Sequence, residues 1–273
     1  MSEQVLLGDE AVALAAIDAG VTAAYAYPGT PSTEILEYIL GWRRRNGKPH
    51  AAWSVNEKTA YEEALGVSFA GRRAMVSMKH VGLNVASDPF MNSAIVGING
   101  GLVVVVADDP GMHSSQNEQD SRCYADFARV VCLEPGDQQQ AYDMTREAFD
   151  LSERFHIPVM VRLVTRLAHS RAVVETRQPR EENPVRRTAE RASWILLPAN
   201  ARHQWRKLLD RQKDFAAYSE ACAHNTLDLA GRELGVITAG VGRNYFLENV
   251  TDLEVPPSHL HIGAYPVPVQ KIR

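Results

Sequence analysis

Strand-like and helix-like segments take turns over residues 1–171, and this alternation restricts the fold more than any other property of the sequence. LVVVVA, framed by two glycines and by Asp108-Asp109-Pro110-Gly111, is apolar throughout, as a strand covered on both faces should be. AAYAYPG, AAWSV, RAMVSMKH and HIPVMVRLVTRLAHS read as further strands. Between them GDEAVALAAIDAG, the stretch from Ile35 to Leu40, NEKTAYEEALGVSFA, VASDPFMNSAIVG and QQQAYDMTREAFDLSERF carry helical spacing. Ser32 and Thr33 are candidate N-caps for the second of these helices, with Glu34 in its first turn. Strands separated by helices predict an α/β fold, a doubly wound parallel sheet over 1–171.

Residues 172–200 read as a linker. ETRQPREENPVRRTAER is highly charged, holds two prolines and lacks periodicity, which suits an extended arm along the first domain. Residues 201–273 read as the start of a second α/β domain: a helix over 201–223, a strand and helix in GVITAGVGRNYFLENV, and a strand in HLHIGAYPVP. A parallel sheet of two strands is too small to stand alone. The expectation is a truncated chain, or a partner that completes the domain.

Bulk properties remove several classes. A net charge of -4 over 273 residues, with acids and bases interspersed, gives no reason to expect nucleic-acid or membrane binding. MSEQVLLGDE lacks a basic start and a long apolar stretch, so the expected location is the cytoplasm. Cys123, Cys132 and Cys222 form no C-x-x-C pair, and an iron–sulfur cluster needs four clustered thiolates. No G-x-G-x-x-G follows a strand in the first domain and no G-x-x-x-x-G-K-[ST] loop occurs, which speaks against nicotinamide and nucleoside triphosphate. G-x-S-x-G and zinc-spaced His/Cys clusters are absent too.

In an open α/β sheet, ligands gather beyond the carboxyl ends of the strands. Four loops at such ends are rich in polar and small residues: YPGTPST, SVNEK, KHVGLN and DDPGMHSSQNEQD. Parallel strands place all four on one edge. Singly, each has an ordinary structural reading. Glu57 suits a helix start by dipole alone, and Thr30 with Pro31 shapes a turn. Lys79 and His80 end a strand, and Asp108-Asp109 before Pro110-Gly111 is common turn chemistry. The last loop is long for a strand-to-helix connection, and long polar loops at this edge often carry function.

The same loops carry a resemblance. AYPGTPSTEILE, WSVNEKTAYEEALGVSFAGRRAMVSMKHVGLNVASDP, GGLVVVVADDPGMHSSQNEQDSR and AYDMTREAFDLSERFHIPVMVRLVTRLAHSR, in this order, are similar to the N-terminal domain of indolepyruvate ferredoxin oxidoreductase alpha subunits. The likeness runs from Gly8 to Arg171 and continues more weakly through ILLPANA and GVITAGVGRNY, as the start of a transketolase C-terminal-like second domain. Ala26 departs from an expected Gly.

That family, the 2-oxo acid:ferredoxin oxidoreductases, uses thiamine diphosphate. The resemblance implies that 1–171 binds the aminopyrimidine and that Glu57 is the cofactor-activating glutamate. A carboxyl partly withdrawn from water holds its proton more tightly and can share it with pyrimidine N1′. It further implies that Gly29, Thr30, His80, Gly82 and Asn84 line the cofactor pocket. Thr30 and His80 would also meet substrate, and Arg122 would clamp its carboxylate bidentately. The implied reaction is oxidative decarboxylation of an aryl pyruvate to an acyl-coenzyme A, with electrons passed through iron–sulfur clusters to ferredoxin.

The implied assembly is a dimer or hetero-oligomer. It needs a diphosphate-binding domain or subunit that holds magnesium, an iron–sulfur or ferredoxin-like domain, and a beta subunit; no metal ligand is expected in this chain. Half a site predicts weak or no cofactor binding by the chain alone. Two alternatives stand beside this one: a non-catalytic assembly module that keeps the fold, and a thiamine-dependent decarboxylase without a redox step. Retention of Glu57, Thr30 and the polar loops weighs against the first. The ferredoxin-family motifs weigh against the second.

Overall fold

The computed structural model describes residues 2–188 and 191–273. The chain opens with β1 (Glu3–Leu7), α1 (Gly8–Asp18), β2 (Ala23–Ala26), α2 (Thr33–Asn46), β3 (His50–Trp53) and α3 (Glu57–Phe69). It continues through β4 (Ala74–Lys79), α4 (His80–Val85), α5 (Ser87–Val96), β5 (Leu102–Asp108), α6 (Arg122–Ala128) and β6 (Cys132–Leu133). Next come α7 (Gln138–Phe155), β7 (Val159–Val164), α8 (Thr165–Ala168) and β8 (Arg171–Glu175). The C-terminal part holds α9 (Pro198–Ala221), β9 (Thr226–Asp228), β10 (Gly235–Ala239), α10 (Gly242–Asn249), β11 (Ser258–Ile262), β12 (Ala264–Tyr265) and α11 (Val269–Ile272).

β5 explains the layering. Every residue from Leu102 to Asp108 is buried, because helices cover both faces of the seven-stranded sheet in which it is central. The strand order is β12-β6-β7-β5-β4-β2-β3, parallel except for β12. Helices α1, α2 and α7 pack together, as do α3, α5 and α9. The chain winds from β2 outward to β3 and then returns to place β4 on the other side of β2. The fold is therefore doubly wound, with its switch point between β2 and β4. A crevice opens at such a point.

Several elements differ from the sequence reading. RAMVSMKH stops as a strand at Lys79, and His80 already begins α4. HIPVMVRLVTRLAHS divides into β7 and α8. β1 and β8 pair antiparallel as a separate ribbon; β8 starts in Arg171 and extends into the charged segment. β6 is only two residues long, too short to show a period. HLHIGAYPVP splits at Gly263: β11 joins β10 and β9 in a small sheet, while β12 crosses to the edge of the large one. Asn225 fixes that crossing, since its Oδ1 accepts from both Gly263 N (2.8 Å) and Ala264 N (2.9 Å).

Residues after β8 run extended over the first domain. Arg180 N donates to Asp18 O at 2.9 Å and Arg186 N to Ala70 O at 2.8 Å, and Glu182 pairs with Arg72 at 3.0 Å. No helix among the described residues is long and apolar enough to cross a membrane.

Candidate functional site

Four loops meet at the carboxyl edge of the large sheet, each carried by a different strand. After β2, Gly29 N–H donates to Thr33 Oγ1 (3.0 Å), and the Ser32 hydroxyl donates back to Gly29 O (2.8 Å). Ser32 occupies the N-cap position of α2 but makes no capping bond; its hydroxyl closes the turn instead. Thr30 is exposed on this turn. Gly29 lies directly across the switch point from the end of β4: a Cβ there would sit 3.0 Å from Lys79 Cδ.

After β3, Asn56 caps α3 by accepting from Thr59 N at 2.8 Å. Glu57 thereby becomes the first residue of α3, where the helix dipole favours a negative charge. Its carboxylate forms no hydrogen bond or ion pair with other described residues. Instead it lies against Gly82 in α4, where a Cβ would meet Glu57 Oε1 at 2.6 Å and Cγ at 2.7 Å. Only glycine leaves that space.

After β4, His80 is fully buried. Its Nε2–H donates to the Asn117 carbonyl at 3.0 Å, since that oxygen only accepts. Nδ1 is buried without a partner, and buried polar atoms are rarely left so. Asn84 is exposed, and its Oδ1 accepts from Tyr124 OH at 2.5 Å.

The fourth loop, after β5, is pinned at both ends. Asp109 Oδ2 accepts from Ser114 N (2.8 Å) and Ser115 Oγ (2.7 Å), and its Oδ1 from Thr165 Oγ1 (2.6 Å). Burial works against the Asp109 charge, but the donors from Thr165, Ser114, Ser115 and His113 outweigh it and hold the carboxyl well below its usual range. Asp108 accepts from Ser121 N (3.0 Å) and Arg162 Nε (2.7 Å). The turn chemistry expected of this pair is thus an anchorage. From it Ser114 reaches Thr30 O (3.3 Å), and Lys79 Nζ reaches Ser114 O (3.3 Å).

Gly29 and Thr30 on the β2 turn, Glu57 at the start of α3, and His80, Gly82 and Asn84 in α4 accordingly fall on neighbouring segments of this edge. Arg122 belongs to a different set of contacts. Its guanidinium binds Asp120 (2.9 and 2.7 Å), Glu134 Oε2 (3.3 Å) and Tyr265 OH (3.1 Å). The bond to Asp120, then the Glu134 charge, hold Arg122 protonated beyond its usual strength against partial burial. Lys79 and Asp109, read from the sequence only as a strand end and turn chemistry, are positioning residues, as is Tyr124 in α6, which sequence reasoning did not single out. For Lys79 and Asp109 the available signal was their place at the ends of buried strands.

Comparison with known proteins gives the family of the chain. The family model described as "Pyruvate flavodoxin/ferredoxin oxidoreductase, thiamine diP-bdg" matches residues 14–226. "Indolepyruvate oxidoreductase subunit IorA" of Archaeoglobus fulgidus is 41% identical over 273 residues, which covers 98% of this chain and 44% of that protein. The subunit of the same name from Methanothermobacter thermautotrophicus is 43% identical, over 96% of this chain and 43% of its own length. The chain thus spans less than half the length of these relatives. Among solved structures, a 2-oxoglutarate:ferredoxin oxidoreductase from Magnetococcus marinus superposes with a TM-score of 0.78 at 18% identity, over 99% of this chain and 55% of that one. With the family model covering most of its length, the chain belongs to the pyruvate flavodoxin/ferredoxin oxidoreductase family, in the family's thiamine diphosphate-binding part.

Proposed function

We propose that this chain supplies the pyrimidine-binding half of a thiamine diphosphate site in a 2-oxo acid:ferredoxin oxidoreductase. The substrate class is an aryl pyruvate such as indolepyruvate, converted to an acyl-coenzyme A. The observation that carries this reading is the Glu57 carboxylate, which lies over Gly82 at a helix start with no donor among the described residues. An acid so placed is free to hold a proton at a ligand nitrogen. Bound thiamine diphosphate supplies the electron sink for decarboxylation.

The residues present suit such a ligand. Glu57 would hold a proton at pyrimidine N1′, with Gly82 keeping the acid in place. His80 Nδ1, buried and unpaired, gains a partner when the crevice fills. Gly29 and Thr30 line the turn across the switch point, and Asn84, steadied by Tyr124, borders the opening. Arg122 meets a substrate carboxylate in this reading only by exchanging bonds that it now makes to Asp120.

Exposed apolar residues of this chain support the half-site interpretation. Tyr27 (40% exposed), Val55 (79%), Val85 (48%) and Met112 (50%) stand on the four loops or beside them. Apolar side chains shown to water around a polar site mark a surface that a partner covers. The partner proposed is the magnesium-holding diphosphate domain, with an iron–sulfur domain and a beta subunit completing electron transfer. Residues 172–200 then connect the pyrimidine domain to a second α/β domain that begins near 201. Cytoplasmic location fits this chemistry.

The test uses the reconstituted assembly and follows dye or ferredoxin reduction with indolepyruvate, phenylpyruvate and 2-oxoglutarate. Turnover is expected with the aryl substrates and not with Glu57→Gln. Undiminished turnover in that variant overturns the reading. Calorimetric titration of this chain alone with thiamine diphosphate should show weak or no binding; tight stoichiometric binding defeats the half-site.

A further inference from the structure

Away from Glu57, three ligating groups converge where two helix starts meet the end of a third helix. Asp9 is in the first turn of α1, Glu34 in the first turn of α2, and His169 follows α8. One ligand atom from each lies within 4.8 Å of the others, and His169 Nε2 is 3.5 Å from Glu34 Oε2.

What sets this cluster apart is unmet bonding. Asp9 is completely buried, and neither of its oxygens has a hydrogen-bond partner; Glu34 Oε2 is buried without a hydrogen bond as well, His169 at 3.5 Å being its ion-pair contact. Neighbouring Glu10 is occupied, accepting from Leu7 N at 2.8 Å. Burying a carboxylate without compensation is unfavourable, because its hydration is lost and nothing replaces it. Burial, then the Glu34 and Glu10 charges, push the Asp9 carboxyl well above its usual range. Something must neutralise the pair. A proton shared between them is one answer; a bound cation is the other.

We propose that Asp9, Glu34 and His169 bind a divalent transition-metal ion of the zinc class. Two carboxylates and an imidazole are a mixed oxygen–nitrogen set that zinc accepts. Ligands about 2.0 Å from a tetrahedral ion stand roughly 3.3 Å apart, close to the spacing of His169 and Glu34. The frame is rigid. Gly8 N–H donates to Ser170 O at 3.2 Å, and a Cβ on Gly8 would lie 2.3 Å from Leu167 O. The α1 start is thereby locked against the turn that carries His169. The side chains of Glu34 and His169 are each 35% exposed, which gives an ion an entry from solvent. An imidazole in the set selects zinc over magnesium.

The experiment treats the full chain with a chelator, then titrates Zn2+ and Mg2+ separately, reading stoichiometry and affinity by calorimetry or a competing chromophore. One zinc per chain is expected, bound at least tenfold more tightly than magnesium. Asp9→Asn and His169→Gln should each weaken zinc at least tenfold; His169 is exposed, so that variant keeps the fold. Absence of stoichiometric zinc overturns the proposal, as does wild-type affinity in both variants. A metal-free Asp9→Asn with raised Tm, together with no zinc in the wild type, assigns the pair to a shared proton. The readout needs no thiamine diphosphate, so its failure leaves the proposed function untouched.

Discussion

Gly82 and the Glu57 carboxylate occupy adjoining space so closely that a single methyl group on Gly82 would lie 2.6 Å from Glu57 Oε1. A glycine in α4 thus sets the position of an acid in α3. Gly82→Ala should displace Glu57 with modest strain, since the carboxylate is the far end of a flexible chain. Overpacking of this kind costs about 1 kcal/mol, and turnover of the assembly should fall by about 10²-fold. Circular dichroism melting and steady-state rates on one preparation check both. A full rate in this variant would mean that the acid need not sit where it does.

Glu57→Gln separates charge from shape. The half-buried helix start, where Glu57 makes no hydrogen bond among the described residues, tolerates the amide, so stability should change by less than about 0.5 kcal/mol. Loss of a proton-holding group predicts a fall in kcat of about 10²–10⁴, with KM for the 2-oxo acid little altered. A large change in KM alone would assign Glu57 to substrate binding.

Asp109 predicts a pH dependence. Its folded-state carboxyl lies below the ordinary value, so its contribution to stability is fully present above about pH 4 and fades as pH falls through the depressed folded value. Urea unfolding between pH 3 and 7 should show the wild type losing stability toward acid more steeply than Asp109→Asn. The variant should also loosen the loop over 110–120, read as faster amide exchange at Ser114 and Ser115.

Arg162 is buried between Asp108 (2.7 Å) and Glu134. Arg162→Ala leaves buried Asp108 without its cation and Glu134 with only the Arg122 cation, at 3.3 Å, and chemical denaturation should register a loss of about 3–5 kcal/mol. Arg122→Ala touches the same Glu134, but its side chain is one-third exposed, and water replaces it. The expected loss is about 1 kcal/mol.

Much of this arrangement was legible in the residues. The apolar LVVVVA run identified a covered strand, and parallel strands alone required that the four polar loops share an edge. The strand order was not legible, because nothing local in β2 or β4 says that they neighbour one another across the switch point. Gly29 against Lys79 is therefore visible only in three dimensions. Ser32 looked like a cap, yet its hydroxyl closes the Gly29 turn. Arg122 suits a carboxylate clamp by type, but its partners Glu134 and Tyr265 lie 12 and 143 residues away, beyond any local pattern. β6 and β12, at two residues each, are strands only through their partners: β6 lies between β7 and β12, and β12 has β6 alone.

That last pairing has a mechanical consequence. Since Ala264 and Tyr265 hydrogen-bond to Leu133 and Cys132 at the rim of the large sheet, the tail is stitched into the body it follows. A protease that nicks the chain within residues 176–188, after β8, would cut the covalent thread and yet release nothing. Both fragments should travel as one particle until denaturant peels β12 away.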